Sequence, residues 1–359
     1  MKIRQLCTRV EFGDAVSNHV LEIARALSEW GCDNEVFANT TDEYGNQVTR
    51  PDGEYHPEAD RPDDVLIYHY SVYCKNYEQY LASPARRILI YHNITPPEFF
   101  ESYDRGTAAF CRLGRDLLPR LAGCDLALGD SEFNRLELLD AGFDPAKTGV
   151  LPIFVDYEGL RETRVDAHPM AGCENSFKVL FVGRTVPNKR VEDLLRAFYY
   201  YNRCVNSASD LFIVGAKWVD RYDAQLQWLV DSFGLWGNVH FTGRVSDAGL
   251  AACYRDADVY LSMSEHEGFA VPLVESMAFD LPVVAYASTA VPFTLQGAGM
   301  VFAEKDFAGV GELLESVRVN ASLRGSLIAS QRARLESFAP EAVRRDLKDA
   351  LSHVTGESS

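Results

Sequence analysis

Short apolar runs alternate with amphipathic segments along this chain. The run from Ile3 to Cys7 predicts a strand, and helix-spaced apolar residues from Val16 to Trp30 predict a helix that stops at Gly31. Further strands are expected at residues 35–38, 65–70, 88–92, 126–128 and 150–154. The pattern then restarts, with strands expected at 177–182, 211–214, 239–242, 259–263, 282–286 and 300–302. Apolar strands without alternation indicate parallel sheets covered on both faces, so two such series predict two doubly wound α/β domains.

The domain boundary is expected in the polar stretch 157–175, which has no clear period. We predict a first domain over 1–160, a linker over 161–176 and a second domain over 177–338. A last helix over 339–354 would carry Val343, Leu347 and Leu351 on one side. Ligands of doubly wound sheets bind beyond the carboxyl ends of the strands, so the loops there, facing a central cleft between the domains, are the expected site.

The charge balance changes the list of plausible partners. Lys and Arg number 35 against 52 Asp and Glu, a net charge of −17, of which −12 falls in the first 160 residues. Such a chain is repelled by polyanions, which argues against nucleic acid as a partner. With 47% apolar residues and no run long enough to span a membrane, we expect a soluble, cytoplasmic protein with at most peripheral contact with the inner face of the plasma membrane.

The cysteines are scattered, without a C-x-x-C pair and without clustering with histidine. This pattern argues against a zinc site and against a disulfide framework. The eight positions are Cys7, Cys32, Cys74, Cys111, Cys124, Cys173, Cys204 and Cys253.

A basic loop follows the expected strand 177–182. Arg184, Lys189 and Arg190 lie near the start of the next helix, where a cation is unfavourable by about 0.3–1 kcal/mol unless an anion binds beside it. The pattern therefore indicates phosphate binding. The alternative is a solvated basic turn neutralised by Glu192 and Asp193.

A second loop, Ser264 to Ala278, follows the strand 259–263. Glu267 and Glu275 bracket Gly268 and Phe269, and Pro272 suits a first helical turn that would include Glu275. Two carboxylates beside backbone N–H groups can hold a polyol and a phosphate. Otherwise Glu275 serves only the helix dipole, and Glu267 is a surface charge.

Together the two loops resemble glycosyltransferase family 4, which has the GT-B fold and retains anomeric configuration. The matching motifs are V-G-R-x-V-P-x-K-R-V-E-D-L-L at 182–195 and S-E-H-E-G-F-A-V-P-L-V-E-S-M-A at 264–278, with family-like blocks at 239–245 and 253–260. The resemblance implies a GT-B protein of two Rossmann-like domains, the first on the acceptor side and the second holding a nucleotide-sugar donor.

The resemblance also assigns roles to the loop residues. Arg184 and Lys189 would neutralise the donor diphosphate during catalysis, and Glu267 would accept hydrogen bonds from the sugar. Gly268 and Phe269 would offer backbone N–H groups, and Glu275 would bind the ribose. No metal or other cofactor is required in this scheme.

The first half of the chain resembles the family more loosely. Its first loop carries only Gly13 where the family has a glycine pair near the donor phosphates, followed by Asp14. His92 matches an active-site histidine of the acceptor domain and would orient donor or acceptor. The segments GDAVSNH and YHNITPPEFF resemble bacterial enzymes of O-antigen and exopolysaccharide synthesis, which favours mannose transfer from GDP-mannose to a glycan or lipid-linked glycan.

Some features of the sequence allow other interpretations. Asp256 and Asp258 resemble a metal-binding Asp-x-Asp pair but precede a strand, which favours a structural role, and a dehydrogenase would need a G-x-G-x-x-G that is absent. Arg105, Arg112 and Arg115 could meet a lipid-linked pyrophosphate, although a solvated helix face is the simpler interpretation. A nucleotide-sugar hydrolase or epimerase on the same fold, or a silent module that binds a glycan or partner, remains open.

Overall fold

The computed structural model describes residues 1–165 and 168–356, and it divides the chain into two compact units. Unit 1 comprises Met1–Glu98, Arg105–Val155 and the C-terminal residues from Phe338. Unit 2 comprises Phe99–Asp104 and Asp156–Ser337. The described part of the predicted linker 161–176 thus belongs to unit 2, while residues 166 and 167 lie outside the described residues.

Unit 1 is built around a seven-stranded parallel sheet in the order β3-β2-β1-β4-β5-β6-β7. Its strands are β1 (Lys2–Val10), β2 (Asp33–Thr41), β3 (Arg50–Pro51), β4 (Val65–Tyr70), β5 (Arg86–Tyr91), β6 (Leu126–Gly129) and β7 (Thr148–Val150). Its helices are α1 (Ala15–Glu29), α2 (Gly45–Val48), α3 (Tyr77–Ala82), α4 (Arg105–Leu117) and α5 (Glu132–Asp140). Strand β7 ends at Val150, so the expected strand 150–154 is displaced toward the N-terminus.

Unit 2 has a six-stranded parallel sheet in the order β10-β9-β8-β11-β12-β13. Its strands are β8 (Phe177–Val182), β9 (Ser209–Val214), β10 (Val239–Gly243), β11 (Val259–Ser262), β12 (Val283–Tyr286) and β13 (Met300–Phe302). Its helices are α6 (Tyr157–Glu162), α7 (Val191–Tyr200), α8 (Asp220–Phe233), α9 (Asp247–Asp256), α10 (Val271–Ala278), α11 (Val291–Leu295), α12 (Phe307–Val319) and α13 (Ala321–Leu335).

The last helix, α14 (Pro340–Thr355), belongs to unit 1. Val343, Leu347 and Leu351 are buried in a cluster with residues of β1, β4, β5 and β6. The exposed face of α14 carries charged residues, and Arg344 forms an ion pair with Glu29 of α1. The amphipathic pattern therefore fixes which side of α14 covers the sheet.

Two segments fall in unit 2 although the sequence places them outside its second domain. Helix α6 packs against α9 and α10 of unit 2. The segment Phe99–Asp104 is held by Arg221, which donates to the Ser102 carbonyl at 2.7 Å, and by Tyr103, whose hydroxyl donates to Gln225 at 3.1 Å. Such contacts join residues about 120 positions apart in the chain, which local sequence patterns do not encode.

Candidate functional site

The basic loop of unit 2 leaves the carboxyl end of β8. Pro187–Lys189 forms a single 3₁₀ turn and Arg190 has a left-handed backbone (φ 50°), so α7 begins at Val191 instead of near Lys189. Strand β11, which precedes the loop with Glu267, pairs directly with β8. The strand order of this sheet reverses between β8 and β11, where open parallel sheets bind their ligands.

An ion pair joins the two predicted loops. Lys189 Nζ donates to Glu267 Oε2 at 2.6 Å, and the two side chains are 22% and 10% exposed. The pair is thus largely withdrawn from solvent, which strengthens the attraction between its charges. The structure brings together two residues that the sequence separates by 78 positions.

Asn188 fixes the distance between the same two loops. Its side-chain amide donates to the His266 carbonyl at 3.0 Å, and its own carbonyl accepts from the Glu265 N–H at 2.9 Å. Asn188 is 5% exposed. These contacts hold the loops of Lys189 and Glu267 at a fixed distance from each other. The sequence did not predict this role for Asn188.

A second group of charges lies beside the Lys189–Glu267 pair. Glu265 accepts from Arg190 at 2.6 Å and from Lys305 at 2.7 Å, and Lys305 also donates to Asp193 at 2.7 Å. Burial of Glu265 opposes ionisation, but hydrogen bonds from Lys305 and Arg190 outweigh it and lower the pKa of this carboxyl. Arg190 and Lys305 each contact two acidic side chains, whereas Lys189 contacts Glu267, so a donor phosphate would meet Lys189 beside this carboxylate.

The loop with Glu267 is braced by the segment after β12. The Thr289 hydroxyl accepts from the Glu267 N–H at 2.8 Å and donates to the Glu267 carbonyl at 2.9 Å. The Thr294 hydroxyl donates to the Phe269 carbonyl at 2.6 Å, and Ala270 has a left-handed backbone (φ 69°) just before α10. This bracing holds Gly268 and Phe269 at the amino end of α10, where the sequence predicts donor binding.

Glu275 lies in the second turn of α10, not in its first. The helix starts at Val271, and no acidic residue occupies its first turn, so the prediction from Pro272 was wrong by one turn. The Tyr254 hydroxyl donates to Glu275 Oε2 at 2.6 Å. Burial raises the pKa of Glu275 to about 7, although the bond from Tyr254 favours its ionised form. The carboxyl therefore titrates near neutral pH.

Arg184 follows Gly183 in the basic loop and packs on an aromatic ring. Its guanidinium stacks over the Trp218 ring, 4.4 Å from the centroid. The loop leaves the sheet where Gly183 and Gly215 touch, since a Cβ on Gly215 would lie 2.0 Å from the Gly183 carbonyl oxygen. This close approach requires glycine and sets the path of the chain to Arg184.

In unit 1, His92 follows β5 and lies within a buried hydrogen-bond chain. Its Nδ1 is 2.9 Å from Asp130 Oδ2, and its Nε2 is 3.0 Å from His69 Nδ1. His69 Nε2 in turn lies 2.8 Å from Gln5 Oε1. Both ring nitrogens of His92 are therefore engaged within unit 1, and Asp130 and His69 set its tautomer and orientation.

His19 packs against this chain from α1. Its ring centroid is 5.4 Å from that of His92, and its Nδ1 accepts from the Phe154 N–H at 3.0 Å. Burial, reinforced by His92, holds the pKa of His19 well below its usual range. His19 is therefore neutral at physiological pH. Because its Nδ1 accepts a hydrogen bond, its proton lies on Nε2.

The loop with Gly13 leads into α1. Gly13 has φ 69°, which favours glycine, and Asp14 caps the helix by accepting from the Ser17 N–H at 3.0 Å. The carboxylate of Asp14 thus has a local structural partner. A role of Gly13 in donor binding stays a prediction.

The match to a known family falls on the part of the chain that holds these loops. Residues 171–329 match the family described as glycosyl transferases group 1. This part of the chain resembles glycosyltransferase group 1 domains. The resemblance to glycosyltransferase family 4 is confirmed by this match together with the mannosyltransferase relatives described next.

The relatives of the glycosyltransferase domain include mannosyltransferases of bacteria. The chain is 33% identical over 171 residues to a phosphatidyl-myo-inositol mannosyltransferase of Mycobacterium leprae, covering 46% of this chain and 42% of that protein. It is 32% identical over 200 residues to a GDP-mannose-dependent alpha-mannosyltransferase of Mycolicibacterium smegmatis, covering 52% and 46%. The match to an O-antigen chain mannosyltransferase B of Escherichia coli is 29% over 159 residues, covering 42% and 41%. The matched part thus spans less than half the length of these relatives.

Solved structures resemble the chain over nearly its whole length. HepE of Anabaena, in complex with UDP and glucose, superposes with a TM-score of 0.78 at 17% identity, covering 98% of this chain and 99% of that one. A sucrose-phosphate synthase of Thermosynechococcus elongatus gives a TM-score of 0.76 at 17% identity, covering 100% of both chains. At these identities the likeness concerns the fold, and it confirms the expected GT-B type with two Rossmann-like α/β domains.

Among the remaining predicted residues, Asp258 and Arg115 have local partners. Asp258 accepts from the Lys178 N–H at 2.8 Å and so ties the start of β11 to β8. Arg115 pairs with Glu137 at 2.9 Å, and it also donates to the Ile94 carbonyl. Across residues 1–165 and 168–356, no helix is both long and apolar enough to cross a membrane.

Some residues of these sites escaped sequence reasoning for a common reason. Asn188, Lys305 and Thr289 reach the loops of the glycosyltransferase domain from separate strands or turns, and His69 and Asp130 do the same in unit 1. A polar residue inside an otherwise apolar strand, such as His69 in V-L-I-Y-H-Y, is the one signal that could have identified a member of this set.

Proposed function

We propose that the protein is a retaining glycosyltransferase that moves a hexose from a nucleotide-sugar donor to a hydroxyl of a glycan or lipid-linked glycan. The observation that carries this proposal is the Lys189–Glu267 pair at the strand-order reversal of a domain in the glycosyl transferases group 1 family. A cation and a carboxylate at that point suit a ligand with a diphosphate next to a polyol.

The chemistry assigns each charge a task. As the bond between the sugar C1 and the diphosphate oxygen breaks, Lys189 and Arg184 neutralise the growing negative charge of the leaving group. The acceptor oxygen bonds to C1 on the same face, and its proton passes to the departing phosphate oxygen. Configuration is thereby retained without a protein nucleophile and without a divalent metal.

The other residues position the donor. Glu267 accepts from sugar hydroxyls while Thr289 holds its backbone in place, and backbone N–H groups of Gly268 and Phe269 meet sugar or phosphate. Glu275 binds the ribose, for which it must be ionised to accept from two hydroxyls. In unit 1, Gly13 leaves room for a phosphate. His92, whose two ring nitrogens are taken by Asp130 and His69, supports the acceptor side through these partners and does not contact a sugar hydroxyl directly.

GDP-mannose is the proposed donor, and the assembly of bacterial surface polysaccharide, including lipopolysaccharide, is the proposed setting. The donor is supported by relatives named as mannosyltransferases, one of them GDP-mannose-dependent. The setting is supported by the O-antigen chain mannosyltransferase of Escherichia coli. We place the protein in the cytoplasm, with at most peripheral contact with the inner face of the plasma membrane.

A panel of donors tests this proposal. Thermal unfolding of the chain is followed with GDP-mannose, UDP-glucose and ADP-glucose, and the donor that raises Tm is then assayed for nucleotide release with and without a mannose-terminated acceptor. We expect GDP-mannose to raise Tm and the acceptor to accelerate release of GDP. The anomeric configuration of the product is read by NMR.

Each other outcome contradicts a defined part of the proposal. If only UDP-glucose raises Tm, GDP-mannose is not the donor. Release of the nucleotide at the same rate with and without acceptor indicates a hydrolase. An altered sugar in place of a transferred one indicates an epimerase. Binding without any release or transfer indicates a silent glycan-binding or partner-binding module.

A further inference from the structure

Three potential metal ligands meet near the amino-terminal ends of the strands in the unit 2 sheet. Asp210 is the second residue of β9, His240 is the second residue of β10, and Cys173 lies in a turn ahead of β8. One ligand atom of each residue lies within 4.8 Å of the others. The carboxyl-end loops with Lys189 and Glu267 occupy the opposite edge, so this cluster is separate from the proposed donor site.

The distances in the cluster suit a small tetrahedral ion. His240 Nε2 lies 2.8 Å from Asp210 Oδ1 and 4.0 Å from Cys173 Sγ. Sulfur, imidazole and carboxylate ligands around zinc, at about 2.0–2.3 Å from the metal, lie about 3.4–3.6 Å from one another. Shifts of about half an ångström bring these two distances into that range, and the third side of the triangle, between Cys173 and Asp210, lies within 4.8 Å. The fourth position of such a zinc site is open to water.

The surroundings hold all three ligands in place. The His240 ring stacks on Phe212, with centroids 4.5 Å apart, and Asp210 is 6% exposed. Cys173 is fixed by its turn, since its carbonyl accepts from both the N–H and the hydroxyl of Ser176. Little further ordering of these side chains is needed on binding, which favours affinity.

Charge and ligand type point to zinc in particular. A thiolate, a carboxylate and a neutral imidazole balance the two charges of the ion, and this mixture of S, N and O donors is typical of Zn²⁺ and unsuited to Mg²⁺ or Ca²⁺. Of the neighbouring charges, Glu174 favours a cation near Cys173 and Lys178 opposes one.

We propose that Cys173, Asp210 and His240 form a zinc site that clamps the segment ahead of β8 to the edge of the unit 2 sheet. The ion replaces the thiol proton of Cys173, which is released to solvent. It also takes the place of the proton between His240 Nε2 and Asp210, and that proton moves to Nδ1 of the same neutral imidazole. Zinc bound only by the folded chain stabilises it, and the effect grows with zinc concentration.

Zinc titration of the full chain tests the site. After treatment with a chelator and desalting, we expect about one zinc ion per chain to bind, as one three-ligand site predicts. Cys173→Ser and His240→Gln should each weaken binding at least about tenfold, since even an outer partner of a metal ligand contributes that much. The matched controls are Cys204→Ser, at an exposed cysteine, and His353→Gln, at an exposed histidine of α14.

Cobalt supplies a readout that does not depend on stability or activity. Co²⁺ bound to the wild-type chain should show a thiolate-to-metal charge-transfer band, which Cys204→Ser keeps and Cys173→Ser loses. Zinc should raise Tm in the wild type and in both controls, but not in Cys173→Ser. Absence of tight zinc binding, or unchanged binding and an unchanged cobalt band in Cys173→Ser, overturns the proposal and leaves a His240–Asp210 hydrogen bond beside an ordinary thiol. Neither result bears on the proposed glycosyl transfer.

Discussion

At the residue scale, Lys189 and Glu267 contact each other, and both are also proposed to contact the donor. Their contact of 2.6 Å means that removal of either side chain leaves an opposite charge partly buried and unpaired. Each side chain also has its own task in the proposed reaction. Their effects on the rate should therefore be large and should not add.

We expect Lys189→Ala and Glu267→Ala each to lower kcat by at least about a hundredfold, the scale of losing one positioned stabiliser. The double variant should lose far less than the product of the single losses, because the two residues act as a unit. Steady-state kinetics measures all three, and Lys147→Ala, an exposed lysine of unit 1, serves as the control. Near wild-type rates in folded single variants would remove the proposed mechanism.

Glu275 makes the stability of unit 2 depend on pH. Its pKa of about 7 in the folded chain lies above the value of 4.5 for an unperturbed glutamate, because burial disfavours the charge. Between these values the unfolded chain releases the proton while the folded chain keeps it. The free energy of unfolding should fall as pH rises through this window, by at most about 1.4 kcal/mol for each pH unit.

Urea unfolding of the wild type and of Glu275→Gln at several pH values across that window measures this contribution. The glutamine variant keeps a partner for Tyr254 but has no proton to release, so its stability should fall less steeply. Parallel pH profiles for the two proteins would show that Glu275 titrates as an ordinary exposed glutamate.

At the scale of elements, α14 completes the core of unit 1. Its three buried apolar residues pack on four strands, and Arg86 of β5 donates to the Thr355 carbonyl at 2.7 Å. The helix is distant in sequence from everything it covers. It should therefore fold only together with the sheet of unit 1.

Leu347→Ala should lower the free energy of unfolding by about 2–5 kcal/mol, the range for a leucine truncated in a packed core. Leu347 is 1% exposed, whereas the adjacent Lys348 is exposed, so Lys348→Ala is the matched control. Denaturant unfolding measures both, and deletion of α14 should destabilise unit 1 as a whole. If Leu347→Ala unfolded with the same free energy as Lys348→Ala, the packing of α14 would not contribute to the stability of unit 1.

The segments between helices and strands are where the sequence pattern predicts boundaries least well. The stretch 161–176 lacks a hydrophobic period and was therefore predicted to be a linker, yet α6 and the turn with Cys173 belong to unit 2. Helix α7 begins at Val191 because Arg190 adopts a left-handed backbone, a choice made by the contacts of the loop. Boundaries of this kind depend on partners far away in the chain.

At the scale of the whole molecule, the proposed reaction needs no metal ion, whereas the proposed zinc site does, so the two can be tested separately. Glycosyl transfer should persist in excess EDTA, because Arg184 and Lys189 supply the charge that a divalent ion supplies in metal-dependent enzymes. Removal of zinc should lower Tm without abolishing turnover. The measurement compares initial rates with and without EDTA in the wild type and in Cys173→Ser.

Equal rates in all four conditions, below the unfolding temperature, are the expected result. Loss of activity in EDTA with rescue by magnesium would instead revive a metal role for Asp256 and Asp258. Loss in EDTA with rescue by zinc, absent in Cys173→Ser, would make the zinc site essential for the active fold.

The sequence by itself determined the two parallel sheets, most of their strands and the two loops that carry Lys189 and Glu267. Those features follow from local patterns: unbroken apolar runs, helical spacing and motifs a few residues long. Only the tertiary structure decided which loops meet, which histidines share a hydrogen-bond chain with His92, and that Cys173 joins Asp210 and His240 despite the scattered cysteines. The reason is physical, because parallel strands bring residues to one edge of a sheet through register and connection, and neither is written in the spacing of the residues themselves.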